Sequence, residues 1–142
     1  MKKIVLLMQF ALFIIISSCH TQKLVAKPED VYKIKENEQR FINQPLKELL
    51  KEISPKIEMV LANPTAYAEH PGIGYFVFKF IKPQQNDSLI QKGNRPISLT
   101  VYVQGPFEWD LVKRTKEKFN IWTDEDAIKY GNLKVVAIRG MK

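Results

Sequence analysis

Side chains able to attack a bond, move a proton or hold a metal are sparse in this chain: its 142 residues contain one cysteine, Cys19, and two histidines, His20 and His70. His70 follows Glu69 and precedes Pro71-Gly72. A hydrolytic triad would have to join it to Ser54, Ser88 or Ser98, and none of these serines lies in the G-x-S-x-G elbow that presents a nucleophile. Glu69 and His70 have no third ligand at a metal-binding spacing. Asp124-Glu125-Asp126 lacks the spacing of a calcium loop and directly follows Thr123, so it reads as the capped, acidic first turn of a helix. No glycine loop is built to cradle phosphate. Paired carboxylates of the glycosidase type depend on tertiary geometry, so the sequence leaves them open. Lys113, Arg114, Lys116 and Lys118, near Trp109 and Phe119, read as a solvated helix face. The sequence thus predicts no catalytic residue, no metal ligand and no cofactor.

Cys19 differs because of what precedes it. Lys2 and Lys3 form a positive start, and Ile4 to Ile16 is an apolar run of 13 residues broken only by Gln9. Ser17 and Ser18 are small, as a signal peptidase requires before its cut. The run is shorter than the roughly 20 apolar residues of a spanning helix, and polar residues (His20, Thr21, Gln22, Lys23) follow it. Ile16-Ser17-Ser18-Cys19 resembles the lipobox of bacterial lipoproteins: an aliphatic residue, two small residues, then cysteine. It has Ile in place of the commoner Leu, and Ser in place of Gly or Ala before the cysteine.

The resemblance implies that Cys19 receives a diacylglycerol, that type II signal peptidase cuts before it, and that the new amino terminus takes a palmitate-type acyl chain. With about 0.8 kcal/mol per buried methylene, two or more chains anchor stably. An ordinary secretory signal with an incidental cysteine is the alternative, but a lone exposed thiol is a liability in an oxidising compartment. In that family an Asp after the cysteine marks inner-membrane retention. His20 in that place implies the outer membrane, on its periplasmic side, since no acidic run of the surface-export kind follows. An exported protein has little occasion to meet nucleic acid.

Three segments are expected: a signal peptide over 1–18, a lipidated tether over 19–30, and a single domain over 31–142. Cleavage leaves 124 residues, enough for one core. Loss of Lys2 and Lys3 lowers the formal charge from +7 to +5. With no second cysteine, the domain must be held by packing alone.

Several elements are readable within it. Val31–Gln39 fits either a short edge strand or the lead-in to a helix. Leu46, Leu49, Leu50 and Ile53 form one apolar stripe, so a helix is expected over Asn43–Ile53, with Pro45 in its first turn and Pro55 ending it. Phe41–Ile53 is also weakly similar to the first helix of the short amino-terminal domain of secretins, a likeness any amphipathic helix with an early proline shares. Ile57–Leu61, Ile73–Ile81, Ile97–Gln104 and Leu133–Ile138 alternate as strands. Phe76, Phe78 and Phe80 occupy one face of the second strand, and Tyr75, Val77, Lys79 and Ile81 the other. The strand Ile97–Gln104 is expected to pair with it antiparallel. The second face should be partly covered or form a contact surface. Lys82–Pro96 reads as a long polar connection, Phe107–Phe119 as a helix, and Thr123–Gly131 as a capped helix.

The expected fold is α+β: an antiparallel sheet of three to five strands with two or three packed helices. The expected function is that of a lipid-anchored cell-envelope protein acting as a binding module in the periplasm. Its partners would be the membrane, through lipid on Cys19, and an envelope protein or polymer. Alternatives are a small hydrolase of cell-wall or sugar polymers and a periplasmic immunity or inhibitor protein.

Overall fold

The two most regular alternations pair with each other. In the computed structural model, which describes residues 22–64, 72–105, 107–109 and 113–141, β2 (Ile73–Lys79) and β3 (Ser98–Gln104) are antiparallel, with Phe76 opposite Val101 and Phe78 opposite Leu99. β1 (Met59–Asn63) joins the free edge of β2, and β4 (Lys134–Met141) that of β3. The sheet therefore runs β1-β2-β3-β4, each strand beside its neighbour in sequence. Among the described residues four short helices accompany it: α1 (Tyr32–Glu36), α2 (Leu46–Leu50), α3 (Pro83–Gln91) and α4 (Asp124–Tyr130). The fold is α+β and antiparallel as expected, with one helix more than the upper estimate.

The phenylalanine face of β2 points into the core. Phe76, Phe78, Leu99, Val101 and Val103 are fully buried against Val25, Val31, Ile34, Leu46 and Leu49 from the helical side. The stripe read for the second helix is thus used, although regular helix covers only Leu46–Leu50. Pro45 takes the N-cap place rather than a first-turn position.

Four expectations need correction. Lys82–Pro96 is not an irregular connection, because α3 occupies most of it. Lys82 is extended, Pro83 opens the helix, and the Gln85 side chain accepts the Lys82 amide hydrogen at 3.1 Å. The helix over Phe107–Phe119 is absent from the described part of that segment. Residues 107–109 are irregular, and a single 3-10 turn spans Lys116–Lys118. Packed structure also reaches back into 19–30. Val25 bridges to Ile53, Pro28–Val31 is a 3-10 turn, and Val31 and Asp30 are buried, so the packed chain begins about six residues before the boundary read from the sequence. In β4, finally, the register shifts between Tyr102 and Val103, whose partners are Ala137 and Val135. Val136 is the extra residue of a β-bulge, which brings Val135 and Ile138 to the same, buried face.

Both outer edges of the sheet are occupied. Along β4, Asn43 and Gln44 exchange backbone bonds with Val135, Leu46 N–H donates to Leu133, and Glu38 Oε1 accepts the Ile138 amide at 3.0 Å. Beside β1, Asn120 C=O accepts the Val60 amide at 2.8 Å. Covering an edge in this way removes a template for intermolecular pairing.

Residues 107–109 and 113–122 supply an aromatic lid to the core. Phe107 stacks on Phe76 at 4.6 Å between centroids, and Trp122 meets Phe78 edge-on at 5.0 Å. Gly74 makes room for this lid, because a Cβ there would lie 2.4 Å from the Phe107 ring. Arg114 holds the lid in place. Its guanidinium lies 3.8 Å over the Trp109 ring, donates to Ile121 C=O at 3.1 Å, and pairs with Asp126, whose side chain is only 5% exposed. Asp126 also accepts from the Thr123 amide and hydroxyl at 2.9 Å each. The helix cap and the lid therefore share one carboxylate. Asp126→Ala is expected to cost about 3 kcal/mol in urea unfolding, because it strands a largely desolvated arginine. Thr123→Ala, which removes the cap and one donor to Asp126 but leaves the Arg114 pair, should cost about 1 kcal/mol. Equal losses would separate Arg114 from the role assigned to it.

Candidate functional site

Cross-strand register sorts the second face of the sheet into rows. Leu61, Val77, Thr100 and Arg139 form one row, and Asn63, Tyr75, Tyr102 and Ala137 the next. The alternation that sends phenylalanines into the core sends these side chains to the opposite face. The Tyr75 and Tyr102 rings lie 5.6 Å apart and tilted by 55°, and the Arg139 guanidinium sits 5.5 Å from the Tyr102 ring. Leu61 is exposed, and Tyr75, Val77, Tyr102 and Ala137 are half-buried. Gln104 opposite Lys134 extends the face at one end. None of the four strands contains an Asp or Glu, whereas they hold Lys79, Lys134 and Arg139. The face is thus apolar at its centre and purely cationic in formal charge.

At its other end α3 partly covers the sheet. Lys79, itself 8% exposed, donates from Nζ to Asn86 Oδ1 at 2.6 Å, and Asn86 Nδ2 donates to Asp87 Oδ1 at 3.2 Å. Burial holds the Lys79 ammonium below its usual pKa, and the charge of Asp87 works in the opposite direction. Ser98, opposite Lys79, is buried beside it. Sequence reading placed Lys79 on the correct face but gave it no role. The signal lay in a lysine occupying an otherwise apolar position of the strongest strand. Arg139 went unnoticed because the expected strand ended at Ile138.

A groove of about 450 Å³ lies between α3 and the 116–121 segment. Glu58, Lys82, Gln84, Lys116, Glu117 and Phe119 are among its lining residues. It brings together two carboxylates, the arrangement a glycosidase needs, but not the required chemistry. The Glu117 carboxyl is held below the ordinary range by its own backbone amide and by the Thr115 hydroxyl, and Glu58 pairs with Lys56 at 3.2 Å. A glycosidase needs one carboxyl kept protonated, with a raised pKa.

Of the residues singled out in sequence, Cys19, His20, Glu69 and His70 lie outside the described residues. Ser54 is exposed after α2, Ser88 is exposed on α3 and Ser98 is buried in β3. These positions belong to different elements and converge on no common site. Thr123 caps α4 as read, while Asp124 and Glu125 remain exposed. Lys113, Lys116 and Lys118 are exposed, but Arg114 is turned inward. Among the described residues no three His, Cys, Asp or Glu side chains cluster as a metal site, and no helix is long and apolar enough to cross a membrane. No protein-family model, curated protein or solved structure matches the chain.

The lowered pKa of Lys79 gives stability a defined dependence on pH. Between the folded value and the ordinary 10.5, the unfolded chain binds more protons than the folded one, so stability rises with pH through that window. Below the folded value the penalty is present in full. Urea midpoints of the native protein should therefore climb as the pH rises toward 10.5, relative to those of Lys79→Met. The informative quantity is the difference in slope, since Lys79→Met also leaves Asn86 Oδ1 without its donor. Parallel curves would show that the ammonium is not desolvated.

Proposed function

We propose that the chain is a lipid-anchored cell-envelope protein whose domain is a binding module, presenting the outer face of its sheet to another envelope component. The anchor rests on the order of features before Cys19: a cationic start, a short apolar run, two serines, then the only cysteine. The binding role rests on one observation above others, the open face carrying Tyr75, Tyr102, Val77, Leu61 and Arg139 with no acid among its strands. Tyrosine and arginine are enriched at interaction surfaces, where an amphipathic ring or a planar cation makes large contacts at small entropic cost. The domain lies on the periplasmic side of the outer membrane, as His20 after the cysteine implies.

The hydrolase reading has less support. Its best location is the groove between α3 and residues 116–121, where Glu117 is stabilised as the anion and supplies no acid. An immunity or inhibitor protein would use the same kind of open surface, and so belongs to the binding class.

Metabolic labelling with radioactive palmitate checks the anchor. Cys19→Ala should lose all label and release the protein from membranes, and a variant still labelled would overturn lipidation at this residue. For the binding role, a photoreactive amino acid at Leu61, exposed on β1, should capture a partner in intact cells, whereas one at Ile128, exposed on α4, should not. Equal background at both positions would count against the face.

A further inference from the structure

Resting on the binding role proposed above, we infer that the occupant of the outer sheet face is an acidic polypeptide segment that also carries apolar side chains. Four properties of the face lead to this occupant.

The first is charge. Arg139 and Lys134 are exposed and form no ion pair among the described residues. Two acids on neighbouring elements are already engaged: Asp87 of α3 accepts from Asn86 and acts on the buried Lys79, and Glu38, at the outer edge of β4 beside Arg139, accepts the Ile138 amide and pairs with Lys35. A partner bearing carboxylates meets cations with no repelling acid on any strand, and charge complementarity of this kind steers encounter and fixes orientation.

Aliphatic contact is the second. Leu61, Val77 and Ala137 flank the tyrosine pair across three strands. Such surface gains from apolar atoms in the partner. An anionic polysaccharide would satisfy the cations and stack on Tyr75 and Tyr102, but it would leave Leu61 and Val77 in contact with a hydrated polymer.

Area comes next. Four strands of five to eight residues, about 4.8 Å apart, present at most roughly 400 Å², part of it covered by α3. A standard interface needs about 800 Å² on each partner. The face suits an extended segment better than a second copy of this chain. A two-fold pairing of like faces would also bring Arg139 and Lys134 of both copies together.

The last is the position of the tether. Val25 is fully buried, and its backbone bonds to Glu52 and Ser54 beside α2, on the helical side of the core. Six residue steps separate it from Cys19, a reach of at most about 20 Å. A lipid on Cys19 would therefore attach the domain through its helical layer, on the side of the core away from the open sheet face.

The test uses the intact protein in detergent micelles and fluorescence anisotropy of a short labelled peptide in which Glu and Val alternate. Binding is expected, weakening as salt rises. Arg139→Glu should reduce affinity at least about tenfold, consistent with loss of an interfacial charge contact, and Ile128→Glu, on the helical side, should leave it unchanged. Tyr102→Ala should weaken binding at every salt concentration. Circular dichroism of each variant separates misfolding from lost contact, and the conservative Arg139→Gln should fall between native and Arg139→Glu. The inference is overturned if the peptide does not bind, if a peptide with Lys in place of Glu binds equally well, or if Arg139→Glu has no effect. Tighter, Arg139-dependent binding of polygalacturonate or of phosphatidylglycerol vesicles would also overturn it, assigning the face to a polymer or a membrane. Lipid labelling is measured separately, so a failure of the anchor and a failure of this occupant remain distinguishable.

Discussion

The carboxylate of Asp126 is the constraint on which the rest of the domain depends. It closes the first turn of α4 through Thr123 and receives Arg114 from a segment without regular structure at its described ends. Arg114 in turn lies flat on Trp109, which belongs to the ring cluster of Phe76, Phe107, Trp122 and Tyr130. A second bond, from the Tyr130 hydroxyl to Glu108 C=O at 2.6 Å, ties the same lid to the other end of α4. The short helix thus anchors at both ends the chain that closes the core. A domain without a disulfide in its packed part needs such a device, because aromatic burial on an irregular segment is lost once the segment lifts. Arginine suits the position: its planar cation covers an indole face while its donors reach a carboxylate and a carbonyl.

Legibility in the sequence followed the regularity of each element. β2 and β3 could be read, antiparallel pairing included, because strict alternation over seven residues leaves one choice of buried face. α4 was readable from Thr123 and the acids after it. α3 was not, because its nine residues carry only Leu89 and Ile90 as large apolar groups, and its capping by Lys82 and Gln85 has no strong type preference. Phe107–Phe119 failed for the opposite reason: Trp109 and Phe119 fall near a helical spacing but are placed by Arg114 and by ring packing. Val25 lies in the short run Leu24-Val25-Ala26 and Val31 follows two acids, so no apolar period announced their burial. The bulge at Val136 was hidden as well, since bulges depend on strand pairing and leave no fixed residue pattern.

Much of the candidate site was present in the sequence as one side of an alternation. Alternation alone assigns Tyr75, Val77 and Lys79 to one face of their strand. What the residues alone did not disclose was how differently that face is treated along its length. At the Lys79 end, α3 comes down and desolvates a lysine, satisfied by Asn86. At the Tyr75–Tyr102 end, no described helix descends and the rings stay half-exposed. Arg139 completes the open end only because the bulge in β4 shifts its phase by one residue. Without the bulge, a strand in which Val135 faces the core would also turn Arg139 inward.

That last point links the chemistry of the face to the core. Val135 and Ile138 are both required inside, opposite Val103 and Val101, yet their spacing of three is incompatible with a regular strand. The extra residue resolves the conflict, and its consequence appears on the other side of the sheet, where Ala137 lies opposite Tyr102 and Arg139 opposite Thr100. The segment Glu38–Leu46 then fixes the bulged strand from its outer edge: Glu38, made more acidic by Lys35, accepts the Ile138 amide. Packing inside the core thus determines which cation the open face presents, and the protected edge keeps it there.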